Sequence, residues 1–336
     1  MKLLLTLDYE LFLGQRSGSV DRCLIEPMRL CLEAVRRYDV RFTVFVDAAY
    51  LWALKRGASQ YASLAADYRK IDGQLKKLCA EGHDIQLHIH PQWYFSVFDG
   101  SQWHLDTGHY KLTDIDTAEM HRLFGESKSI LDSIIGKKTM AFRAGGFSAQ
   151  PTAMLADIFE RNGLTVDSSV CPGEAYDSKY QQYDYSQVKE TDVYRFDADI
   201  CRSAADGRFL EVPFAMVRKS PAFQWQLLFV RLLTKLVKSG RHSNCGDGMS
   251  VATSKAAILR RLTSCRSIIA TIDGYKIKYL KSAIKECARR GDMSMCILGH
   301  PKLATPYSLA KLPEICAYAV REGHGFCTLT DLIDKR

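Results

Sequence analysis

The hydrophobic positions of the chain fall into short apolar runs that alternate with longer amphipathic stretches. The short runs predict buried strands and the stretches with apolar residues at spacings of three and four predict helices. The predicted strands lie at 2–8, 42–47, a run ending near His90, 138–143, 164–169, 208–214, 293–299 and 326–329. The predicted helices lie at 22–38, 60–81, 115–134, 150–162, 222–239, 307–322 and, as one or two helices, within 253–290. This alternation predicts an α/β fold with a mainly parallel sheet, and seven or eight strands favour closure into a (β/α) barrel.

The remaining segments suggest how the chain is organised around that barrel. We expect residues 1–336 to form a single catalytic-type domain. The polar, irregular segments 92–113 and 171–207 are predicted to be long loops over the rim of the barrel. The segment 215–290 is predicted to be a helical insertion.

Chemically reactive side chains follow or end most of the predicted strands. Since the carboxyl ends of parallel strands meet at one edge, such residues are candidates for a common site. The strand-end residues are Asp8, Glu10, Asp47, His88, His90, Arg143, Asp167 and His300. His88 and His90 are two apart on one strand and point to the same face, so they can share a divalent metal. A set of carboxylate and imidazole side chains that can bind a metal predicts metal-assisted hydrolysis. In such a reaction a carboxylate acts as the base and an imidazole as the acid.

The order of these motifs resembles the polysaccharide deacetylase family, carbohydrate esterase family 4. Thr6-Leu7-Asp8-Tyr9-Glu10 is similar to the family's Thr-Phe-Asp-Asp, and Gly82-His83-Asp84-Ile85-Gln86-Leu87-His88 to its Gly-His-Glu-Ile-Gly-x-His. Further similarities are Phe142-Arg143-Ala144-Gly145-Gly146 to Phe-Arg-x-Pro-x-Gly, Asp167-Ser168-Ser169 to the fourth motif, and Leu298-Gly299-His300 to the late Leu-x-His. The resemblance implies a distorted β/α barrel and zinc-dependent removal of an N- or O-acetyl group from a sugar.

Two departures from the family pattern concern the metal ligands. Tyr9 stands where the family has its second aspartate, and Gln92 stands where it has its second histidine. Glu10 and His90 are the nearest substitutes, so the expected ligands are Glu10, His88 and His90. Whether Asp8 is the base or a ligand stays open, although we expect it to be the base.

The resemblance also implies roles for the other strand-end residues. Arg143 would orient the catalytic carboxylate, His300 would be the general acid, and Asp167 would partner Arg143 or His300. The chain resembles a divergent branch found with surface-polysaccharide (O-antigen) synthesis, which implies a sugar or lipid-linked glycan substrate. Two alternatives remain: a glycan-binding pseudoenzyme on the same fold, and an amidohydrolase that acts on a non-sugar amide.

Composition narrows the cellular setting. The chain of 336 residues has 47% hydrophobic and 25% charged residues, a net charge of +8 and 11 scattered cysteines without framework spacing. The thiol pattern predicts a cytoplasmic protein, and the charge is too dispersed to predict nucleic-acid binding. The segment 222–239 combines an excess of apolar residues with Arg231, Lys235 and Lys238. It is predicted to cover the barrel, to form a dimer contact, or to lie on the inner face of a membrane; the oligomeric state is left open.

Overall fold

A computed structural model describes residues 1–14, 16–237, 240–251, 259 and 262–335 of the chain. Within the predicted helical stretch 253–290, residues 253–258, 260 and 261 lie outside the described part, and so does Lys238.

The described residues alternate between strands and helices, as the hydrophobic pattern predicts. The strands are β1 (Lys2–Tyr9), β2 (Thr43–Asp47), β3 (Asp84–Ile89), β4 (Val97–Phe98), β5 (Trp103–His104), β6 (Ala141–Ala144), β7 (Val166–Asp167), β8 (Ala175–Asp177), β9 (Gln182–Asp184), β10 (Tyr194–Phe196), β11 (Phe209–Glu211), β12 (Met216–Lys219), β13 (Arg266–Ile269), β14 (Ser294–Gly299) and β15 (Gly325–Phe326). The α-helices are α1 (Glu26–Val35), α2 (Ala48–Gly57), α3 (Ala62–Ala80), α4 (Gln92–Phe95), α5 (Thr117–Ile135), α6 (Ala153–Asn162), α7 (Pro221–Val237), α8 (Leu280–Arg290), α9 (Pro306–Arg321) and α10 (Leu329–Ile333).

The chain divides into two compact units. The first comprises Met1–Leu7, Leu11–Phe42 and Ala215–Arg336, and the second comprises Asp8–Glu10 and Thr43–Phe214. In the first unit, β1 pairs in parallel with β14 and with β15. In the second unit, the strands are ordered β10-β11-β7-β6-β3-β2, with parallel pairing except between β10 and β11.

The core strands of the second unit are buried along their whole length. Every residue of β2, β3 and β6 is buried, which fits strands of a parallel sheet covered on both faces. The amphipathic helices α3 and α5 bury apolar stripes such as Leu64, Ile71 and Leu75 of α3. A glycine in the left-handed conformation, Gly136 with φ 69°, ends α5.

Several elements were not anticipated by the sequence pattern. The segments 92–113 and 171–207, predicted as loops, contain helix α4 and the short strands β4, β5, β8, β9 and β10. Helix α2 follows β2 directly, and most of its residues are buried, so it lacks the amphipathic period that marks a surface helix. The segment 215–290, predicted as a helical insertion, also contains the antiparallel hairpin of β12 and β13, paired from Met216 with Ile269 to Lys219 with Arg266.

Two further findings concern the cysteines and the helices. None of the eleven cysteines forms a disulfide. Among the described residues, none of the helices combines the length and the apolar composition that crossing a membrane requires.

Candidate metal centre and active-site residues

The strands of the second unit bring three of the predicted residues to the same level. In the register of the parallel sheet, Asp47 of β2 is opposite His88 of β3, and His88 is opposite Arg143 of β6. Asp8 lies near the end of β1, Glu10 follows that strand, and both belong to this unit. The parallel register thus places Asp47, His88 and Arg143 side by side at one edge of this sheet.

Glu10, His88 and His90 form a buried cluster. Their candidate ligand atoms all lie within 4.8 Å of one another. Oε2 of Glu10 is 2.5 Å from Nε2 of His90 and 3.3 Å from Nε2 of His88. A carboxylate oxygen and two imidazole lone pairs repel one another, so positive charge must lie between them, either as protons or as a metal ion. These three residues could hold a metal ion.

A backbone contact orients the His88 ring. Nδ1 of His88 is 2.7 Å from the carbonyl oxygen of Arg143, and since a carbonyl only accepts, Nδ1 carries the proton. In the neutral ring, Nε2 then keeps the lone pair that a metal ligand needs. Burial disfavours the charged imidazole, but the hydrogen bond to Glu10 and the charges of Asp8, Glu10 and Asp47 outweigh it and raise the pKa of His88.

Asp47 supports the same cluster from the neighbouring strand. Its Oδ1 accepts a hydrogen bond of 3.3 Å from the backbone N–H of His90. Its Oδ2 is buried and has no hydrogen-bond partner among the residues that the structure describes. Burial raises the pKa of the Asp47 carboxyl, while the two histidines lower it.

The donor set fits a divalent metal. Two imidazoles and one carboxylate form a three-ligand set of the kind that catalytic zinc sites use, which leaves a coordination position for water or substrate. The orphaned oxygen of Asp47 is a further acceptor beside this set, as expected where a cation or an ordered water completes the site.

Gly145 leaves room for the His90 ring. A Cβ at this position would lie 2.6 Å from Nδ1 of His90 and 2.7 Å from the carbonyl oxygen of Ile89. Both distances are shorter than any ordinary contact, so a side chain here would displace His90 or the backbone of β3.

Asp8 and Arg143 form a buried ion pair. Nη1 of Arg143 donates to Oδ1 of Asp8 at 2.6 Å, and both side chains are almost fully shielded from solvent. The guanidinium also donates to the carbonyl oxygen and hydroxyl of Ser168, each at 2.9 Å, and lies between the rings of Phe45 and Phe214. Arg143 is thus fixed on several sides and can hold the Asp8 carboxylate in one orientation.

Asp167 lies beside a second buried acid. In the register of β7 and β11 it is opposite Glu211, whose Oε1 accepts the N–H of Val170 at 3.0 Å. Oδ1 of Asp167 accepts the N–H of Ser169 at 2.8 Å. Burial raises the pKa of Asp167 to about 6, although the charge of Arg143 acts in the opposite direction.

His300 belongs to the first unit, where Asp273 holds it. The backbone N–H and Nδ1 of His300 donate to the two carboxylate oxygens of Asp273, each at 2.8 Å. This bidentate contact fixes the tautomer of the neutral ring, with the proton on Nδ1 and the lone pair on Nε2. Burial opposes ionisation of Asp273, but His300 and Lys276 outweigh it and lower the pKa of the carboxyl.

Sequence reasoning did not assign roles to Asp273, Asp47 and Gly145. The sequence did contain a signal for Asp273. This acid comes shortly after the apolar run Ile268-Ile269-Ala270, just as Asp8 and Asp47 come at the ends of apolar runs that form strands. Nothing in the sequence alone indicates that Gly145 borders His90, since the two are brought together by the pairing of β3 with β6.

The comparisons with known proteins bear on the fold. No family model and no curated protein sequence matches the chain. A protein assigned as a polysaccharide deacetylase from Pseudomonas aeruginosa is 16% identical over 98% of this chain and 88% of its own, with a TM-score of 0.52. A second one, from Mycobacterium smegmatis, is 12% identical over 99% and 89%, with a TM-score of 0.51. The PuuE allantoinase is 15% identical over 98% and 88%, also with a TM-score of 0.51.

These similarities confirm the predicted fold class, α/β with a distorted β/α barrel of the polysaccharide deacetylase type. The resemblance carried by the sequence motifs is therefore confirmed in the architecture: the chain has the fold of the polysaccharide deacetylases.

Proposed function

We propose that this protein is a metal-dependent hydrolase that removes an acetyl group from a sugar or polysaccharide precursor, with an N-acetyl group as the favoured leaving acyl group. The observation that carries the proposal is the buried Glu10-His88-His90 cluster beside the Asp8–Arg143 ion pair. The fold shared with deacetylases and the five motifs in order support the same reaction class.

In this proposal Glu10, His88 and His90 hold the metal, and zinc suits two imidazoles and a carboxylate best. Such an ion, when bound, supplies Lewis acidity for the hydrolysis of an acyl group. Glu10 is assigned as the ligand rather than Asp8 because its Oε2 faces both imidazoles, whereas Asp8 is paired with Arg143.

Asp8 is proposed as the general base. The Arg143 guanidinium holds its carboxylate in one orientation, and in this proposal that carboxylate takes a proton from the attacking water. Water adds to the acyl carbon, the bond to nitrogen breaks, and the amine leaves with a proton. The role of His300 as the donor of that proton stays a prediction, as does the part of Asp167 in supporting Arg143 or His300. The contacts of His300 with Asp273 are consistent with an imidazole that exchanges a proton at Nε2.

The substrate class is the less specific part of the proposal. The motifs resemble a branch connected with surface polysaccharides, which favours a sugar or a lipid-linked glycan. The shared fold of the PuuE allantoinase is the observation that favours the second candidate, an amidohydrolase of a non-sugar amide. The changes at Tyr9 and Gln92 are the observation that favours a third candidate, a glycan-binding pseudoenzyme.

Product analysis tests the proposal. The purified protein, loaded with zinc, is incubated with N-acetylated and O-acetylated sugars and with allantoin, and both acetate and ring opening are measured. Acetate release that is lost in Glu10→Gln and Asp8→Asn supports the deacetylase. Ring opening without acetate release supports the amidohydrolase. Glycan binding without either product, in a protein with bound zinc, supports the pseudoenzyme and contradicts the proposal.

A further inference from the structure

Two buried carboxyl groups lie side by side in the second unit. Asp167 of β7 and Glu211 of β11 are opposite each other in the parallel register, so their side chains leave the sheet on the same face. Both residues are fully shielded from solvent, and the two carboxyl groups lie within hydrogen-bonding reach of each other. Because an ionised carboxylate only accepts hydrogen bonds, a hydrogen bond between the two acids requires a proton on one of them.

The same two acids tie the turn after β7 to β11. Oδ1 of Asp167 accepts the N–H of Ser169 at 2.8 Å, and Oε1 of Glu211 accepts the N–H of Val170 at 3.0 Å. Oδ2 of Asp167 is buried, and apart from Glu211 no group in the described part of the chain donates a hydrogen bond to it. Two ionised carboxylates in this dry position would repel each other, whereas one proton between them removes that repulsion.

The turn after β7 also holds Arg143. Nε of Arg143 donates to the carbonyl oxygen of Ser168 and Nη2 donates to its hydroxyl, each at 2.9 Å. The Ser168 hydroxyl in turn donates at 2.9 Å to the carbonyl oxygen of Val212, the residue after Glu211. Nη1 of Arg143 donates to Asp8 at 2.6 Å. A continuous chain of hydrogen bonds therefore leads from the strand that carries Glu211 to the proposed base.

We propose that Asp167 and Glu211 share one proton and that Glu211, through this acid pair, is a positioning residue for Arg143 and Asp8. The inference rests on the proposed function, because it takes Asp8 as the base of that hydrolysis. Without Glu211, the N–H of Val170 loses its acceptor and Asp167 becomes a lone buried acid. The turn that holds Arg143 is then no longer fixed, and neither is the orientation of the Asp8 carboxylate.

The groups around the acid pair do not titrate near neutral pH. Those that interact with it by charge are Arg143 of β6, Tyr185, Tyr194 of β10 and Cys201. Arginine keeps its charge throughout the ordinary pH range. Burial raises the pKa of Cys201 to about 12 and raises the pKa of both tyrosines above their usual range. Burial also raises the pKa of Asp167 to about 6, so proton uptake by this region below that pH belongs to the acid pair.

Two substitutions of Glu211 in the full-length, zinc-loaded protein test the positioning role. In Glu211→Gln the amide oxygen can still accept the N–H of Val170, and the amide N–H can donate to Asp167, so kcat for acetate release should stay near that of the unchanged protein. Glu211→Ala offers neither contact. Misplacing a catalytic group by about 1 Å can cost about 100-fold in rate, so we expect kcat to fall about 10- to 100-fold, with KM and zinc content unchanged.

Two measurements report on the shared proton without any reaction. Infrared spectroscopy of the unchanged protein at about pH 5 should show the carbonyl stretch of a buried protonated carboxyl, a band that is lost in Glu211→Gln and in Asp167→Asn. The free energy of unfolding of the unchanged protein should fall as the pH rises from about 4 to about 6. Glu211→Gln should lack this fall, because the amide donor favours the ionised form of Asp167 in the folded state.

Asp132 of α5 provides a matched control. It is a buried carboxylate of the same unit, which accepts from Nζ of Lys128 at 2.7 Å and from the N–H of Thr139 at 2.9 Å. Asp132→Asn removes one buried negative charge far along the chain from the turn after β7. It should lower the free energy of unfolding and leave kcat unchanged, which separates lost stability from lost positioning.

Four results would overturn the inference. A folded Glu211→Ala variant could keep the kcat of the unchanged protein, or Glu211→Gln could be as slow as Glu211→Ala. Asp132→Asn could lose as much kcat as Glu211→Ala does, which would assign the effect to stability. The infrared band and the pH dependence of unfolding could both persist in Glu211→Gln. If the unchanged protein releases no acetate, the positioning role fails together with the proposed function, while the infrared and unfolding measurements still decide whether the two acids share a proton.

Discussion

Gly145→Ala tests the geometry of the candidate metal centre without removing a ligand. The added Cβ would lie 2.6 Å from Nδ1 of His90, 2.7 Å from the carbonyl oxygen of Ile89 and 2.9 Å from Cε1 of His90. The carbonyl belongs to the sheet and cannot move freely, so the His90 ring must shift by several tenths of an ångström or more. Metal–ligand distances tolerate only about 0.2 Å of error, so we expect the site to lose affinity.

The expected magnitude follows from two effects. Changes in the residues that orient a ligand typically lower metal affinity about 10- to 100-fold, and we expect a loss in this range. Overpacking a buried position costs about 1–3 kcal/mol of the free energy of unfolding. The variant should therefore remain folded at low temperature but bind zinc weakly.

The assay is competition for zinc against a chromophoric chelator, with thermal unfolding measured in parallel. Gly73→Ala is the matched control, because a Cβ at Gly73 of α3 meets no atom within 4 Å. This control should retain the zinc affinity of the unchanged protein. If Gly145→Ala is folded and also retains it, then His90 is not held as a ligand in the way described here.

Three further predictions concern the acid and base groups. Asp8→Asn should keep the bound metal but lose about 10²–10⁴-fold in kcat, measured by acetate release, and loss of the metal instead would make Asp8 a ligand. Asp273→Asn removes the negative charge beside the His300 ring, which favours the protonated imidazole. The alkaline limb of the pH–rate profile should therefore move to lower pH. An unmoved alkaline limb would exclude His300 as the acid. Burial raises the pKa of Asp167 to about 6 in the folded chain, compared with about 3.9 in the unfolded chain. Between these two pH values the folded state binds more protons than the unfolded state, so the free energy of unfolding should fall as the pH rises from about 4 to about 6. Urea unfolding of Asp167→Asn should lack this dependence, and an identical dependence in the variant would refute the assignment.

The sequence predicted the strands and their end residues well because both depend on local pattern. Buried parallel strands appear as short apolar runs, and the structure places β1, β2, β3 and β14 within one or two residues of the predicted bounds. Residues two apart on a strand point to the same face, so the sequence predicts that His88 and His90 lie together. In the structure both imidazoles lie beside the Glu10 carboxylate.

Features that depend on pairing between distant segments were not visible in the sequence. Asp273 and His300 are 27 residues apart, and only their hydrogen bonds reveal that one orients the other. The clearance that Gly145 gives to His90 depends on the register of two strands. Helix α2 was missed because six of its ten residues are buried, which weakens the alternation of apolar and polar positions by which a surface helix is recognised.

The central claim is that Glu10, His88 and His90 hold one metal ion, and elemental analysis of the purified protein tests it most directly. We predict one zinc ion per chain in the unchanged protein and nearly none in His88→Ala/His90→Ala. His104→Ala is the control, because His104 is an exposed histidine paired with Asp99, and this variant should keep its zinc. Full zinc content in the folded double variant, or none in the unchanged protein after incubation with zinc, would contradict the account.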